Sequence, residues 1–346
     1  MSRIRFTLRR ALESFGSLLA ASPLLRGQEL IGEPRGRITP RQELVNVFEV
    51  EAVAKRKLAA TLYSTIAGGD RRAFDRITFR PRMLVDVQKL DLTSELFSEK
   101  LFAPILVGPT AEHQQFHPDG ELATVRGASA AKTILVVSSR SSYPLDKIAA
   151  EAKTTLWYQA YPDPEPTVAR NRVQQAVQAG CKAVCVTVGA PSRPNSQLDW
   201  SVIDQLRRGL TVPLLLKGIL SPEEAQTAAG RGVQGIVVSN HGAPSSSGAA
   251  APIEMLPLIV DAVGGKVPVL IDGSFRRGTD VLKALAFGAR AVLIGRPVLW
   301  GLASYGAEGV QTVLEMLQSE LARSMGLSGK PNLQALDRTL VKVHRR

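Results

Sequence analysis

Residues 267–280 read VPVLIDGSFRRGTD, and residues 290–297, a short distance further along the chain, read RAVLIGRP. In each stretch a run of aliphatic residues, with no polar residue inside it, leads directly into glycine and arginine. A strand that is apolar at every position is buried on both faces, which is typical of parallel sheets in α/β proteins. Both stretches therefore predict a buried parallel strand, followed by a loop with backbone freedom and positive charge.

Runs of the same kind recur along the chain, with room for one helix between successive runs. The eight runs occupy residues 104–108, 133–137, 154–160, 182–188, 212–217, 234–239, 267–272 and 290–295. The intervening segments carry helix signals, such as Pro222 directly after the capping residue Ser221, and Gly180 and Gly288 where C-caps belong. Eight buried strands that alternate with helices predict an α/β fold, the closed (β/α)8 TIM barrel. No G-x-G-x-x-G sequence follows any run, which argues against an open dinucleotide-binding sheet.

The composition is that of an ordinary soluble enzyme: 346 residues, 45% of them hydrophobic, with a formal net charge of +12. The longest apolar stretch, residues 18–25, is broken by Ser22 and Pro23, so we expect no membrane span. Lysines and arginines are scattered without interleaved aromatic residues, so we expect no nucleic-acid partner. Cys181 and Cys185 match neither a disulfide framework nor a metal site, so we expect both cysteines in the core and no bound metal.

Residues 1–40 are rich in arginine, and we expect them to form a basic extension to a barrel that occupies residues 41–346. Arg9 and Arg10, followed by an apolar stretch, resemble a twin-arginine export signal, but Glu13 interrupts it and no A-x-A cleavage site follows. We therefore expect a cytoplasmic protein, with export as the alternative. A targeting segment and an arm that packs on the barrel or on another subunit are both open interpretations of the extension.

Two helical patterns lie outside the strand repeat. From Val47 onward the apolar residues recur at intervals of three and four, which predicts one amphipathic helix leading to the glycine pair at 68–69. Near the C-terminus Val310, Leu314 and Leu317 share one helix face. That face suits packing on the barrel as well as on a second copy of the chain, so a homo-oligomer stays open.

In a TIM barrel the chemistry collects at the C-terminal ends of the strands. The residues there that we single out are Thr110, Ala111, Ser139, Gln159, Tyr161, Thr187, Lys217, His241, Asp272, Gly273, Ser274, Arg276, Gly295 and Arg296. The last two loops combine glycines with Arg276 and Arg296, and loops after strands seven and eight of this fold commonly bind phosphate. We therefore predict a phosphate site. The alternative is that the glycines only turn the chain and the arginines pair with surface carboxylates.

Two of these residues suit catalysis. Lys217 ends an apolar strand, so we expect its ammonium group to emerge at the rim, where it would stabilise developing negative charge; a structural ion pair is the alternative. His241 follows a strand directly and has the exposure that a general base near neutral pH needs, although a purely structural histidine is the other interpretation. Gln159 and Thr187 offer neutral hydrogen bonds that suit the edge of a heterocycle.

From about Asn46 to the C-terminus the chain resembles the FMN-dependent 2-hydroxy acid oxidases and dehydrogenases, such as glycolate oxidase and lactate oxidase. The matching segments are FRPR at 79–82, PTA at 109–111, HPDGE at 117–121, VSNHG at 238–242, DGSFRRGTD at 272–280 and GRP at 295–297. The resemblance implies that the backbone near 110–111 and the Ser139 hydroxyl contact the flavin ring, that Gln159 and Thr187 bind its pyrimidine edge, and that Lys217 lies by N1 and O2. The ribityl chain and phosphate would be held by Asp272, Gly273, Ser274, Arg276, Gly295 and Arg296.

The substrate side of the family pattern is incomplete. The family uses a histidine base, an aspartate that orients it, two arginines that hold the substrate carboxylate, and two tyrosines; His241 and Tyr161 match the base and one tyrosine. The aspartate position reads Gly189, one arginine position reads Pro244, the other reads Ser196, and the second tyrosine position reads Thr65. Arg193 alone could substitute for an arginine. The segment after Gly189 is also much shorter than in glycolate oxidase.

The lead hypothesis is an FMN-dependent oxidoreductase that oxidises a small hydroxy compound by transfer to flavin N5, with His241 as base and Tyr161 and Lys217 beside it. Oxygen or a redox protein would accept the electrons. Without the arginines we expect poor turnover of glycolate and lactate. The first alternative is a non-catalytic FMN-binding barrel that serves as sensor, relay or structural element. The second is a barrel that uses the same loops for a nucleotide or sugar phosphate.

Overall fold

The structure is a computed structural model that describes residues 37–162, 166–189, 200–242 and 250–344. The chain divides into two units, Met1–Pro40 and Arg41–Arg346, and the second unit contains all the strands and helices described below. The export-like segment around Arg9 and Arg10 lies outside the described residues.

Twelve strands lie within the described ranges. They are β1 (Ile77–Phe79), β2 (Ser94–Leu96), β3 (Glu99–Leu101), β4 (Ile105–Val107), β5 (Leu135–Ser138), β6 (Leu156–Ala160), β7 (Val184–Thr187), β8 (Leu214–Ile219), β9 (Gly235–Val238), β10 (Val269–Ile271), β11 (Ala291–Ile294) and β12 (Val341–Val343). Strands β4 to β11 are parallel and form a closed barrel, in which β11 pairs with β4. The predicted (β/α)8 fold is confirmed, and each barrel strand overlaps one of the eight predicted runs.

The barrel strands are apolar throughout because both of their faces are covered. Successive side chains point to opposite faces of a strand, so Leu106 and Leu270 pack inside the barrel, whereas Ile105 and Val107 pack against the surrounding helices. The hairpin of β2 and β3 closes the N-terminal end, where Leu96 joins the interior cluster. The opposite end, where the strands terminate, carries the polar residues.

The helices alternate with the barrel strands, as predicted. They are α1 (Val47–Lys57), α2 (Ala60–Ile66), α3 (Arg72–Asp75), α4 (Gly120–Ala130), α5 (Leu145–Glu151), α6 (Pro166–Gln178), α7 (Trp200–Arg207), α8 (Pro222–Gly230), α9 (Pro252–Val263), α10 (Gly278–Ala286) and α11 (Arg296–Leu327). The Ser221 side chain accepts a hydrogen bond from the Glu224 N–H at the start of α8. Gly180 and Gly288 have φ angles of 96° and 104°. The predicted caps are therefore confirmed.

Two expectations about helices change in the structure. The single helix predicted from Val47 is two helices, because Leu58 and Ala59 are extended and separate α1 from α2. The three basic residues of the last turn of α1 suit a C-terminus there, since cations interact favourably with the carbonyl end of a helix. The apolar face of α11 that includes Val310 and Leu317 is fully buried against α4 and α1 of the same chain.

The two cysteines lie in the core, as the sequence predicts. Cys181 and Cys185 are buried free thiols, and burial raises the pKa of each to about 12. Neither has the lowered pKa that makes a thiol reactive. None of the helices within the described ranges combines the length and the apolar character that a bilayer crossing requires.

Candidate functional site

The largest group of predicted site residues lines one pocket at the C-terminal mouth of the barrel. Those that line it are Thr110, Gln159, Tyr161, Thr187, Lys217, His241, Asp272, Gly273, Ser274, Arg276, Gly295 and Arg296. The pocket and the open solvent at its mouth together hold about 760 Å3 of unfilled space. Ala111 and Ser139 are half-buried in the neighbouring loops after β4 and β5 and do not line it. Arg193 lies outside the described residues.

A row of buried neutral side chains spans the ends of three adjacent strands. The Ser138 hydroxyl donates to Gln159 Oε1 at 3.1 Å, and Gln159 Nε2 donates to Thr187 Oγ1 at 2.9 Å. All three residues are at most 5% exposed. Parallel pairing of β5, β6 and β7 places these strand-end residues side by side, so the row has a fixed order. A fixed row of donors and acceptors suits the edge of a flat heterocycle.

Lys217 does not emerge at the rim as expected; it is 6% exposed and forms part of the pocket wall. Its ammonium group pairs with Asp272 Oδ2 at 2.8 Å and donates to Ser239 Oγ at 2.8 Å. Lys217 therefore forms a structural ion pair and also lines the pocket in which a ligand would bind. The other oxygen, Asp272 Oδ1, is buried and has no hydrogen-bond partner within the described part of the chain. A buried acceptor without a donor is costly, and a ligand hydroxyl would satisfy it.

The last two loops form a strongly cationic corner of the pocket. Arg276 is 3% exposed and lies over the Trp300 ring at 4.4 Å, and Arg296 begins α11 directly after Gly295. Burial, and then repulsion from Arg296, lower the pKa of Arg276 to about 9; burial also lowers the pKa of Arg296. A buried and a half-buried guanidinium group facing one space call for an anion. A phosphate group at the start of the helix would supply it.

His241 lies on the other side of the pocket in a left-handed backbone conformation, with φ of 57°. The backbone N–H of His241 donates to Ser239 Oγ at 3.1 Å. The His241 ring packs on Gly218: a Cβ built on that glycine would lie 2.7 Å from His241 Nε2. That nitrogen is buried and has no hydrogen-bond partner among the described residues. Burial, and next the Lys217 charge, lower the pKa of His241, so the ring is neutral at pH 7.

Beside His241, the position at which the family pattern has an aspartate is occupied by Gly189. A Cβ on Gly189 would lie 3.9 Å from His241 Nε2, so this is the position from which a side chain would reach the ring. Two of the other three departures from the pattern, Pro244 and Ser196, lie outside the described residues. Thr65 is exposed near the end of α2, where its hydroxyl donates to the Leu62 carbonyl.

A second histidine stands directly behind the pocket wall, and the sequence reasoning did not include it. His113 is 2% exposed, and its Nε2 and Nδ1 contact the hydroxyls of Thr110 at 2.7 Å and Thr124 at 2.8 Å. Its backbone N–H donates to Glu121 at 3.0 Å. Ser239 was also missed, although it ends the buried run at residues 234–239, two residues before His241. Its position at a strand end was the available signal.

The donor set fits riboflavin 5′-phosphate. The cationic corner matches a phosphate dianion, the unpartnered Asp272 oxygen matches a sugar-alcohol hydroxyl, and the row from Ser138 to Thr187 matches the edge of a flat ring. Fold and pocket together define an α/β barrel that binds a phosphorylated planar cofactor across the C-terminal ends of its strands.

Comparison with known proteins assigns the family. The family model for FMN-dependent dehydrogenases matches residues 63–197 and 190–343. A peroxisomal (S)-2-hydroxyacid oxidase of Arabidopsis thaliana is 37% identical, with 87% of this chain and 97% of the relative covered. Glycolate oxidase of Spinacia oleracea is 35% identical over 86% and 95%. A solved structure of mandelate oxidase with (S)-2-phenylpropionate aligns with a TM-score of 0.82 at 35% identity, covering 88% of this chain and all of that one.

The chain belongs to the FMN-dependent dehydrogenase family, its cofactor is FMN, and it is an oxidoreductase of the class that acts on CH–OH groups of small molecules. The two matched pieces of the family model meet at residues 190–197. That junction follows Gly189, where the sequence predicts a segment shorter than in glycolate oxidase.

Proposed function

We propose that this chain oxidises a 2-hydroxy acid or a closely related hydroxy compound, with His241 as the base. The observation that carries the proposal is the neutral His241 ring, which lines the cofactor pocket; its buried Nε2 has no hydrogen-bond partner among the described residues. A base must be neutral before the reaction, and burial beside the Lys217 ammonium keeps it so. The names of the relatives, which are oxidases of 2-hydroxy acids, glycolate and mandelate, support the substrate class.

The cofactor roles follow from the chemistry of the side chains. Gln159 and Thr187 would hydrogen-bond the pyrimidine edge, the 110–111 backbone and the Ser139 hydroxyl would contact the ring, and Lys217 would lie by N1 and O2. Asp272 and Gly273 would hold the ribityl chain. The phosphate would be bound by Ser274, Arg276, Gly295 and Arg296. Bound FMN supplies an acceptor for two electrons, and Lys217 provides a cation where negative charge develops on the ring.

On the substrate side the chain moves one proton. His241 accepts the hydroxyl proton as the carbinol carbon loses its hydrogen with two electrons, so that CH–OH becomes C=O. Tyr161 would donate a hydrogen bond to the substrate oxygen and keep it facing the imidazole. Arg193 is the cation we propose for a substrate carboxylate. Oxygen is the electron acceptor we favour, since the relatives are named oxidases; a redox protein is the other candidate.

We infer slow turnover of glycolate and lactate. Gly189 leaves the imidazolium that forms on proton transfer without a carboxylate partner, and a missing counter-charge at a partly buried site costs roughly 1–3 kcal/mol, or about 10- to 100-fold in rate. Pro244 in place of an arginine removes one cation for the small acids, whose carboxylate is most of their binding surface. A larger apolar 2-hydroxy acid is less dependent on that cation, because it adds hydrophobic contact.

The test is anaerobic mixing of the FMN-loaded protein with glycolate, lactate, mandelate and neutral hydroxy analogues, followed by the loss of flavin absorbance. We expect at least one donor to bleach the flavin, and the His241→Asn variant to lose about 100-fold or more of that rate while it keeps FMN. Rapid bleaching by glycolate or lactate would contradict the inference of slow turnover. If FMN stays oxidised with every donor, the non-catalytic FMN-binding barrel is correct; Gly189 is the observation that favours that alternative.

A further inference from the structure

We propose that the segment Ile66–Arg71, here named the strap, forms a third wall of the FMN phosphate site, and that glycine at position 69 makes the room for the phosphate. The inference rests on FMN as cofactor and extends the site beyond the loops at the ends of β10 and β11. It assigns a binding role to a segment that lies far from those loops in the sequence and does not belong to the barrel.

Three successive carbonyl groups of the strap face the cationic corner. The Trp300 indole N–H donates to the Ile66 carbonyl at 3.0 Å. Arg296 Nη1 donates to the Ala67 carbonyl at 3.3 Å, and Arg276 Nη2 donates to the Gly68 carbonyl at 2.8 Å. Both arginines of the predicted phosphate site therefore hold the strap, and the strap in turn fixes the position of both guanidinium groups.

Gly69 faces the point on which the phosphate donors converge. A Cβ built on this glycine would lie 2.9 Å from Ser274 Oγ, 3.0 Å from Arg276 Nη2 and 3.2 Å from Arg296 Nη2. These are the polar ends of three side chains from two separate loops, and each is a hydrogen-bond donor suited to a phosphate oxygen. The missing side chain thus leaves a notch lined by donors, which a methyl group would fill.

The far end of the strap is anchored to the same loop that supplies the donors. Arg71 pairs with Asp280 at 2.5 Å and reaches the Ser274 carbonyl at 3.4 Å. Asp280 also accepts from the backbone N–H groups of Arg276 and Arg277 at 2.9 Å each. The Arg71 guanidinium lies 5.2 Å from the Phe48 ring centroid, so helix α1 supports it from outside. Strap and phosphate loop are therefore held as one unit.

The charge balance favours an anion in the notch. Arg276 is buried and Arg296 is half-buried, and the carbonyl groups of the strap carry only partial negative charge. Glu51 lies near enough to raise the pKa of both arginines, yet burial still lowers each below its usual value. A phosphate dianion between the strap and the two loops would supply the missing negative charge, because charge-assisted hydrogen bonds to guanidinium groups are the strong ones.

The experiment compares Gly69→Ala with Gly265→Ala, a control outside the strap and the pocket. Both glycines have positive φ angles, 132° for Gly69 and 76° for Gly265, but a Cβ on Gly265 meets nothing within 4 Å. Flavin-free protein is titrated with FMN and with riboflavin, which lacks the phosphate, and binding is read from quenching of flavin fluorescence. We expect Gly69→Ala to weaken FMN binding by about tenfold or more and riboflavin binding by less than about threefold. Gly265→Ala should leave both affinities within about threefold of the unmodified protein.

An equal loss of FMN and riboflavin affinity in Gly69→Ala, or no loss of either, would overturn the proposal, as would an equal FMN loss in Gly265→Ala. Arg71→Lys keeps the charge but loses the planar grip on Asp280; we expect FMN to dissociate several-fold faster from it and riboflavin at an unchanged rate. This second variant decides the matter if Gly69→Ala does not fold. Binding is measured without a donor, so a protein that binds FMN but oxidises nothing would contradict the proposed function and leave this inference standing.

Discussion

Replacing Gly189 with aspartate should give His241 a carboxylate neighbour of its own, since Asp272, which already raises its pKa, is paired with Lys217. The Cβ of a residue at 189 would lie 3.9 Å from His241 Nε2, so the carboxylate comes within about 3–5 Å of the ring, depending on its rotamer. The backbone at 189 has a φ of 68°. Aspartate and asparagine tolerate that left-handed conformation better than most residues. Gly189→Asn is therefore a control with the same shape and strain but no charge.

The magnitude follows from the distance and the exposure. At about 4–5 Å and an effective dielectric constant of about 20, a carboxylate stabilises an imidazolium by roughly 3–4 kcal/mol. Position 189 is exposed, so solvent and salt reduce this by about half. At about 1.4 kcal/mol per unit, the pKa of His241 should rise by roughly one to one and a half units. The same stabilisation of the imidazolium during proton transfer should raise the rate of flavin reduction about tenfold.

The assay has a part that needs no substrate. Titration of the His241 ring protons by NMR gives its pKa in the unmodified protein and in both variants. With a donor, the rate of flavin reduction rises with pH as His241 becomes neutral, and this acid limb should move to higher pH in Gly189→Asp. An unchanged pKa in the aspartate variant, or an equal rise in the asparagine variant, would refute the placement of position 189 beside the imidazole.

Three further outcomes can be measured on the purified protein. Burial lowers the pKa of His113, so the unfolded chain binds a proton that the folded protein does not, and stability falls as pH drops below about 6.5. In urea unfolding, the free energy of unfolding of His113→Gln should depend less steeply on pH, by up to about 1.4 kcal/mol per pH unit. An unchanged slope would contradict this. Cys181 and Cys185 should not react with a thiol reagent in the folded protein and both should react in urea; labelling of native protein would show that the thiols are accessible. Gly309→Ala should lower the free energy of unfolding by about 1–3 kcal/mol, because its Cβ would lie 2.0 Å from the Gly301 carbonyl oxygen. Denaturation within error of the unmodified protein would show that helix α11, which is kinked at Tyr305 and Gly306, can relax.

The fold was predictable because its signal is local and repeated. A strand covered on both faces must be apolar at each position, so the eight runs can be found one at a time, and the helix caps at Ser221, Gly180 and Gly288 lie between them. The helix break at Leu58 was not predictable, since the apolar spacing continues through it. The sequence did not show that the Lys217 side chain is buried in an ion pair. Its partner, Asp272, follows a different strand and is distant along the chain.

The strand-end residues of the pocket could be named from the chain alone, since a parallel barrel brings the ends of all eight strands to one mouth whatever the helices contain. The sequence therefore determined the barrel, the cationic loops at 273–276 and 295–296, and the isolated His241. Only the tertiary structure decided which groups share one space: the unpartnered oxygen of Asp272, the buried His113 behind Thr110, and Gly69 against the two arginines. These contacts join residues that are distant along the chain, and no local pattern records them, because burial and charge balance are properties of the folded chain.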